Sequence, residues 1–224
     1  MKPFAKLAEA TTPDGTVLAL YRHDGAYLIR ADGVELMSTR RHHSEEKLAE
    51  LACAPLRTTP GARVLIGGLG LGFTLRAALD HLPSDARVVI VEIVLAVIEW
   101  NLNPGYALAS SALADPRVDL RHGDIADILR ETEDPYDAIM LDVDNGADPL
   151  TTESNARLYD AAGIRIAMKA LAPDGRLAYW SAARDDAFAE RLRRAGLVVK
   201  STRVRAHTTA GGWHVLYVAQ RPFD

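Results

Sequence analysis

Short apolar runs rich in β-branched residues alternate along this chain with segments whose apolar positions recur at helical spacing. Between residues 14 and 38 the runs are Thr16–Arg22, Ala26–Arg30 and Val34–Met37, separated by Asp24-Gly25 and Asp32-Gly33. Asp-Gly pairs readily take the left-handed conformations of tight hairpin turns, so this stretch predicts a small antiparallel sheet. Ser44 is placed to cap a helix over Glu45–Cys53, with two acids in its first turn. Pro55–Gly61 then reads as a connection. Beyond it, strand patterns fall at 63–67, 87–92, 117–121, 136–142 and 175–181, and helical patterns at 73–82, 93–102, 124–132, 154–171 and 185–195. Two strands in succession, 197–206 and 212–220, finish the chain. This alternation predicts the α/β class, a doubly wound, mostly parallel seven-stranded sheet with helices on both faces and an antiparallel edge pair. The expected boundary leaves a small hairpin region at 1–42 and the main domain at 43–224.

The composition adds exclusions rather than detail. With 224 residues, 48% hydrophobic and 25% charged, the chain is long enough for one main domain with a sizeable core. A formal net charge of −4 gives no electrostatic drive towards phosphate backbones, so no nucleic-acid partner is expected. Cys53 is the single cysteine, which rules out an intramolecular disulfide and a cysteine metal cluster, and no metal is expected. The first residues lack the apolar core of a signal peptide and no window resembles a membrane span. The expectation is a cytoplasmic protein with no membrane association.

Candidate chemistry begins at Arg63-Val-Leu-Ile-Gly-Gly-Leu-Gly-Leu-Gly-Phe-Thr-Leu-Arg76, followed by Val88-Val-Ile-Val-Glu92. A strand enters a glycine-rich turn, a helix follows, and the next strand ends on a carboxylate about 20 residues on, as in nucleotide-binding βαβ units. The glycines read Gly68-x-Gly70-x-Gly72, and Phe73 stands where a dinucleotide fingerprint needs its third glycine to pack close behind a pyrophosphate. The turn suits a nucleotide without pyrophosphate, of the S-adenosylmethionine type. Gly68, Gly70 and Gly72 are expected at the cofactor, and Glu92 is placed to accept from both ribose hydroxyls.

Two further clusters fall at strand ends. Gly123-Asp124-Ile125 closes one strand and opens a helix, so Asp124 can cap that helix or accept an adenine amine lying against Ile125. Tyr136–Leu141 delivers Asp142 at a carboxyl end, and the loop after it adds Asp144, Asn145 and Asp148. Two unit charges about 4 Å apart repel by roughly 4 kcal/mol at an effective dielectric of about 20, so these carboxylates want a positive partner. An amine substrate answers that need, because a carboxylate can hold an ammonium, take its proton and aim the freed lone pair. Solvated turn acids are the plainer alternative. Trp180 at the end of its strand reads as core, and Arg40-Arg-His-His43 as a solvated basic turn.

Along most of its length the chain resembles the spermidine synthase family. The resemblance runs from Asp32-Gly-Val34 through Val64-Leu-Ile66, Leu75-Arg76, Val91-Glu92-Ile93, Gly123-Asp124, Tyr136-Asp-Ala-Ile139 and Asp142, Asp148-Pro149 and Leu158-Tyr159 to Leu171-Ala-Pro-Asp-Gly175. It implies the class I methyltransferase-like fold after a small β-sheet, a homodimer, and aminopropyl transfer from decarboxylated S-adenosylmethionine to putrescine. By resemblance Glu92 holds the ribose, Asp124 the adenine, and Asp142 handles the attacking amine, with Asp144, Asp148 and Glu46 as candidate substrate contacts. The family's glycine-loop aspartate, which binds the aminopropyl amine, matches Leu71 here, and its Tyr-His or Tyr-Gln pair near the mouth of the diamine pocket falls on Glu45-Glu46. Loss of such a charge-assisted contact removes about 1.5–3 kcal/mol. Methyl transfer from S-adenosylmethionine therefore stands as the alternative, and a nucleotide-binding module without catalysis as a second.

Overall fold

The computed structural model describes residues 3–12, 15–143, 153–209 and 211–222. The N-terminal sheet has four antiparallel strands in the order β1 (Ala5–Thr11), β2 (Val17–His23), β3 (Ala26–Ala31) and β4 (Val34–Ser38). Both Asp-Gly pairs turn with positive φ at each residue, 49° and 78° at Asp24-Gly25 and 46° and 82° at Asp32-Gly33. Two consecutive positive values match the right-handed twist of the flanking strands. The strand β1 was not expected. Ala-Lys-Leu-Ala-Glu-Ala is built of helix formers, and antiparallel pairing to β2 overrides that propensity.

The helix α1 (His43–Cys53) begins one residue before Ser44, so the expected Ser44 cap does not form. Ser44 is buried inside the first turn and donates instead to the Glu45 carboxylate, while His42 holds the cap position without a side-chain bond. The main domain then runs β5 (Arg63–Gly67), α2 (Phe73–His81), β6 (Arg87–Glu92), α3 (Leu95–Leu102), α4 (Ser110–Leu113), β7 (Val118–His122), α5 (Ile125–Glu131) and β8 (Tyr136–Leu141). It continues with α6 (Ala161–Lys169), β9 (Leu171–Ser181), α7 (Asp186–Arg194), β10 (Val198–Arg205) and β11 (Trp213–Gln220). The single helix expected over 154–171 is split. A 3₁₀ turn at Glu153–Leu158 precedes Asp160, whose carboxylate accepts from Ala162 and Gly163 N–H at 2.7 and 2.8 Å and starts α6 afresh.

The seven strands lie in the order β10-β11-β9-β8-β5-β6-β7. From β9 to β7 all pairs are parallel, whereas β11 is antiparallel to both β9 and β10. The terminal pair thus returns into the sheet, with β11 between β9 and the edge strand β10. The apolar run of β5 divides by alternation: Val64 and Ile66 pack with Leu48 of α1, Leu75 of α2 and Leu18 and Ile29 of the N-terminal sheet. Leu65 faces the opposite side with Leu129, Ile164 and an aromatic cluster of Tyr159, Tyr179, Phe188 and Tyr217. A strand buried on both faces has to be apolar throughout, as β5 is. The N-terminal sheet therefore shares one core with the main domain, and strand order reverses between β5 and β8, where ligands of such sheets bind.

Candidate active site

A cleft of about 1060 Å³, counted out to its open mouth, lies at the carboxyl ends of β5, β6, β7 and β8. Its floor is the glycine turn. Gly68 has φ +93°, and a Cβ there would stand 2.2 Å from the Asp142 carbonyl oxygen, so neither the conformation nor the space admits a side chain. Its N–H reaches the Val91 carbonyl at 2.8 Å and ties the turn to β6. Gly70 also lines the cleft, with Met37 of β4 close behind it. Gly72 serves a different end. It holds the cap position of α2 at φ +77°, where a Cβ would meet the Ala109 Cβ at 2.3 Å, and it is not among the lining residues.

Two residues with no motif of their own fix this turn. Asn101, fully buried on α3, donates to the carbonyls of Gly70 and Val97, both at 2.8 Å, and accepts from Ala109 N–H at 3.2 Å. Arg76 on α2 donates to the carbonyls of Leu71 and Leu108 at 3.2 and 3.1 Å. Such bonds over long sequence separations leave no local signal to read.

Glu92 sits at the end of β6 and is buried. One carboxylate oxygen accepts from Leu69 N–H and the other from Val94 N–H, each at 2.9 Å. Burial raises its pKa, and these backbone donors oppose the rise. Each oxygen has a further lone pair, which is what two ribose hydroxyls require. Asp124 caps α5 by accepting from Ala126 N–H at 2.8 Å, and its other oxygen pairs with the Arg157 guanidinium. Ile125 beside it is buried and lines the cleft.

Asp142 follows the last residue of β8 and faces the same space. Thr74, buried in the first turn of α2, donates to it at 2.5 Å and fixes its orientation. Burial drives the Asp142 pKa above the usual carboxylate range, and the Thr74 bond acts in the other direction. From α1, Glu45 enters the cleft, its pKa raised first by burial and then by the negative charge of Asp142. Glu46 does not join it. Its carboxylate lies 2.9 Å from His42 Nδ1 and 4.0 Å from His43 Nδ1, half-exposed and outside the lining set. Asp144 and Asp148 lie outside the described residues. The upper wall comprises Leu18, Ile29, Leu36 and Met37 from the N-terminal sheet with Leu71, while Trp180, buried at the end of β9, closes another side.

A parallel sheet with β11 reversed, a glycine turn after β5 and an acid ending β6 define the class: an α/β fold of the S-adenosylmethionine-dependent methyltransferase type. Within that class the chain belongs to the spermine/spermidine synthase family, whose domain matches residues 44–183. Polyamine aminopropyltransferase 2 of Streptomyces coelicolor is 35% identical over 181 residues, covering 77% of this chain and 32% of that protein. The polyamine aminopropyltransferase of Saccharolobus solfataricus is 31% identical over 154 residues, covering 68% of this chain and 50% of that protein. The chain thus spans between a third and a half of these two relatives. Among solved structures, spermidine synthase from Thermotoga maritima superposes with a TM-score of 0.77 at 21% identity, over 98% of this chain and 74% of that one. A spermidine synthase in complex with the transition state analogue AdoDATO gives 0.76 at 19% identity, over 98% and 73% of the two chains. Among the described residues, no helix is long and apolar enough to cross a membrane.

Proposed function

We propose that the cleft binds decarboxylated S-adenosylmethionine and transfers its aminopropyl group to an amine, with putrescine as the first acceptor to test. The observation that carries this is the charge of the lining. Among the described residues it contains four carboxylates, Glu45, Glu92, Asp124 and Asp142, and no lysine, arginine or histidine. The amino-acid carboxylate of intact S-adenosylmethionine would enter this space without a cationic side chain to meet it. The decarboxylated form brings only a sulfonium and an ammonium, both of which the lining favours. Family membership and the names of the relatives support the same reading.

The reaction is a direct displacement. Asp142 accepts a proton from the acceptor ammonium, and the freed nitrogen lone pair attacks the methylene carbon bonded to sulfur. The N–C bond forms as the C–S bond breaks, its electrons stay on sulfur, and methylthioadenosine departs as a neutral thioether that needs no acid. The chain's contribution is positioning and deprotonation: Glu92 holds the ribose, Asp124 and Ile125 the adenine, and Thr74 aims Asp142. Methyl transfer is the second reading, and its support is Leu71, a buried apolar residue lining the cleft where the family's glycine loop carries an acid.

Incubation with each sulfonium and putrescine, followed by mass analysis of the amine, separates the two. Gain of an aminopropyl unit with release of methylthioadenosine supports the proposal, and gain of a methyl group with release of S-adenosylhomocysteine supports the alternative. No transfer in either arm, with nucleotide bound, would leave the binding-module reading. The proposal extends to a cytoplasmic homodimer, which sedimentation would read as about twice the chain mass of 24.3 kDa.

A further inference from the structure

Three of the four cleft acids are already committed to protein groups: Glu92 to the Leu69 and Val94 amides, Asp124 to Ala126 and Arg157, and Asp142 to Thr74. Glu45 receives the hydroxyl of its neighbour Ser44 and otherwise faces Asp142 across the cleft. Trp180 lines the same cleft with 9% of its surface exposed, and its indole N–H meets no acceptor among the described residues. An indole N–H only donates and cannot complete an ammonium, so what Trp180 offers a cation in this cleft is its ring. Leu71 and Phe73 make the glycine-loop side apolar.

We propose that Glu45 and Asp142 together form the seat for the acceptor's ammonium group, with Trp180 as its wall, so that Glu45 selects a cationic acceptor. This rests on the aminopropyl-transfer reading of the cleft. The charged groups acting on Glu45 are Asp142 after β8 and Glu46 on α1 itself, while Arg76 on α2 interacts with Glu46 and has its guanidinium bound to the Leu71 and Leu108 carbonyls. His42 and His43 pair with Glu46, and His214 on β11 packs against Trp180 with its pKa lowered by burial. None of these supplies Glu45 with a bonded cation.

Glu45 and Asp142 share one cleft, and the Asp142 charge adds to partial burial in raising the Glu45 pKa, so Glu45 keeps its proton more readily than an ordinary carboxyl until a cation arrives. An entering ammonium takes that proton's place and sends it to solvent. The ammonium then gives one of its own protons to Asp142, the amine attacks, and the product leaves as a secondary ammonium.

The test is a calorimetric titration of putrescine into the full chain saturated with methylthioadenosine, at neutral pH in two buffers of different ionisation enthalpy. The wild type is expected to release about one proton per amine bound. Glu45→Gln is expected to weaken the amine by about tenfold or more, to abolish proton release, and to leave methylthioadenosine affinity within about twofold. Glu45→Asp, which restores the charge on a shorter arm, is expected to recover proton release. An unchanged amine affinity and proton count in Glu45→Gln would overturn the seat. Binding of methylthioadenosine with no binding of amine would overturn it too, while leaving the nucleotide site standing. Failure to bind methylthioadenosine would bring down the transfer reading beneath it.

Discussion

The two halves of the cleft that the proposal assigns to the nucleotide and to the amine are built in different ways. The first is main chain pinned from several sides: Gly68 N–H donates to the Val91 carbonyl, the Glu92 carboxylate accepts from two amides, and the Asn101 side chain donates to the Gly70 carbonyl. Its glycine turn and Glu92 come from one βαβ unit, and a Cβ at Gly68 has no room. The second is made of side chains from α1, α2, the end of β8 and the end of β9, which meet only in three dimensions. On that assignment, a family fold can keep its glycine turn while changing the side chains it offers to an amine. Gly68 has neither the φ nor the space for a side chain, whereas Glu45 and Leu71 stand where the family resemblance places a tyrosine-containing pair and an acid.

The two halves should therefore fail differently, and the widest separation is expected at Asp142. Asp142→Asn is predicted to lower kcat by about 10²- to 10⁴-fold while methylthioadenosine binds within about threefold of wild type. A matching loss of nucleotide affinity would show that the halves are not separable. Gly68→Ala is the converse. Its Cβ would collide with the Asp142 carbonyl at φ +93°, and the variant is expected to lose about 1–3 kcal/mol in urea unfolding together with nucleotide binding.

A smaller effect concerns the pH profile of stability. The folded chain holds the Glu45 proton more tightly than the unfolded chain, whose pKa is near the ordinary 4.5, so this group makes stability fall as pH rises from that value through the raised folded pKa. Glu45→Gln should flatten that decline and stabilise the chain at neutral pH, measured by denaturant unfolding across the range. A steeper decline would contradict the burial of Glu45. The least effect is expected at Glu46, half-exposed and paired with His42. Glu46→Gln should change stability by about 0–1 kcal/mol and leave both ligand affinities unaltered, which titration of each ligand would check.

Legibility in the sequence follows the same division. The strand, turn, helix and acid from Arg63 to Glu92 are local and periodic, so the nucleotide half could be read along the chain, as could Asp124 and Asp142 at their strand ends. What escaped depends on contacts between distant segments. Glu45 and Glu46 are neighbours about 100° apart on a helix, and only the packing of α1 decides which one enters the cleft. Trp180 reads as core because it is apolar and ends a strand, yet it is also a cleft wall. Asn101 gives no sign of its role because its Gly70 partner is 31 residues away. The N-terminal sheet was legible from its Asp-Gly turns, but not β1, nor the fact that Leu18, Ile29, Leu36 and Met37 would roof the site.

The claim that a lining whose charged side chains, among the described residues, are all acidic selects a cofactor without a carboxylate is tested most directly by measuring the dissociation constants of decarboxylated and intact S-adenosylmethionine for the same preparation. The lining predicts tighter binding of the decarboxylated form by about tenfold or more, since juxtaposed like charges are strongly disfavoured. Equal affinities, or a preference for the intact form, would contradict it.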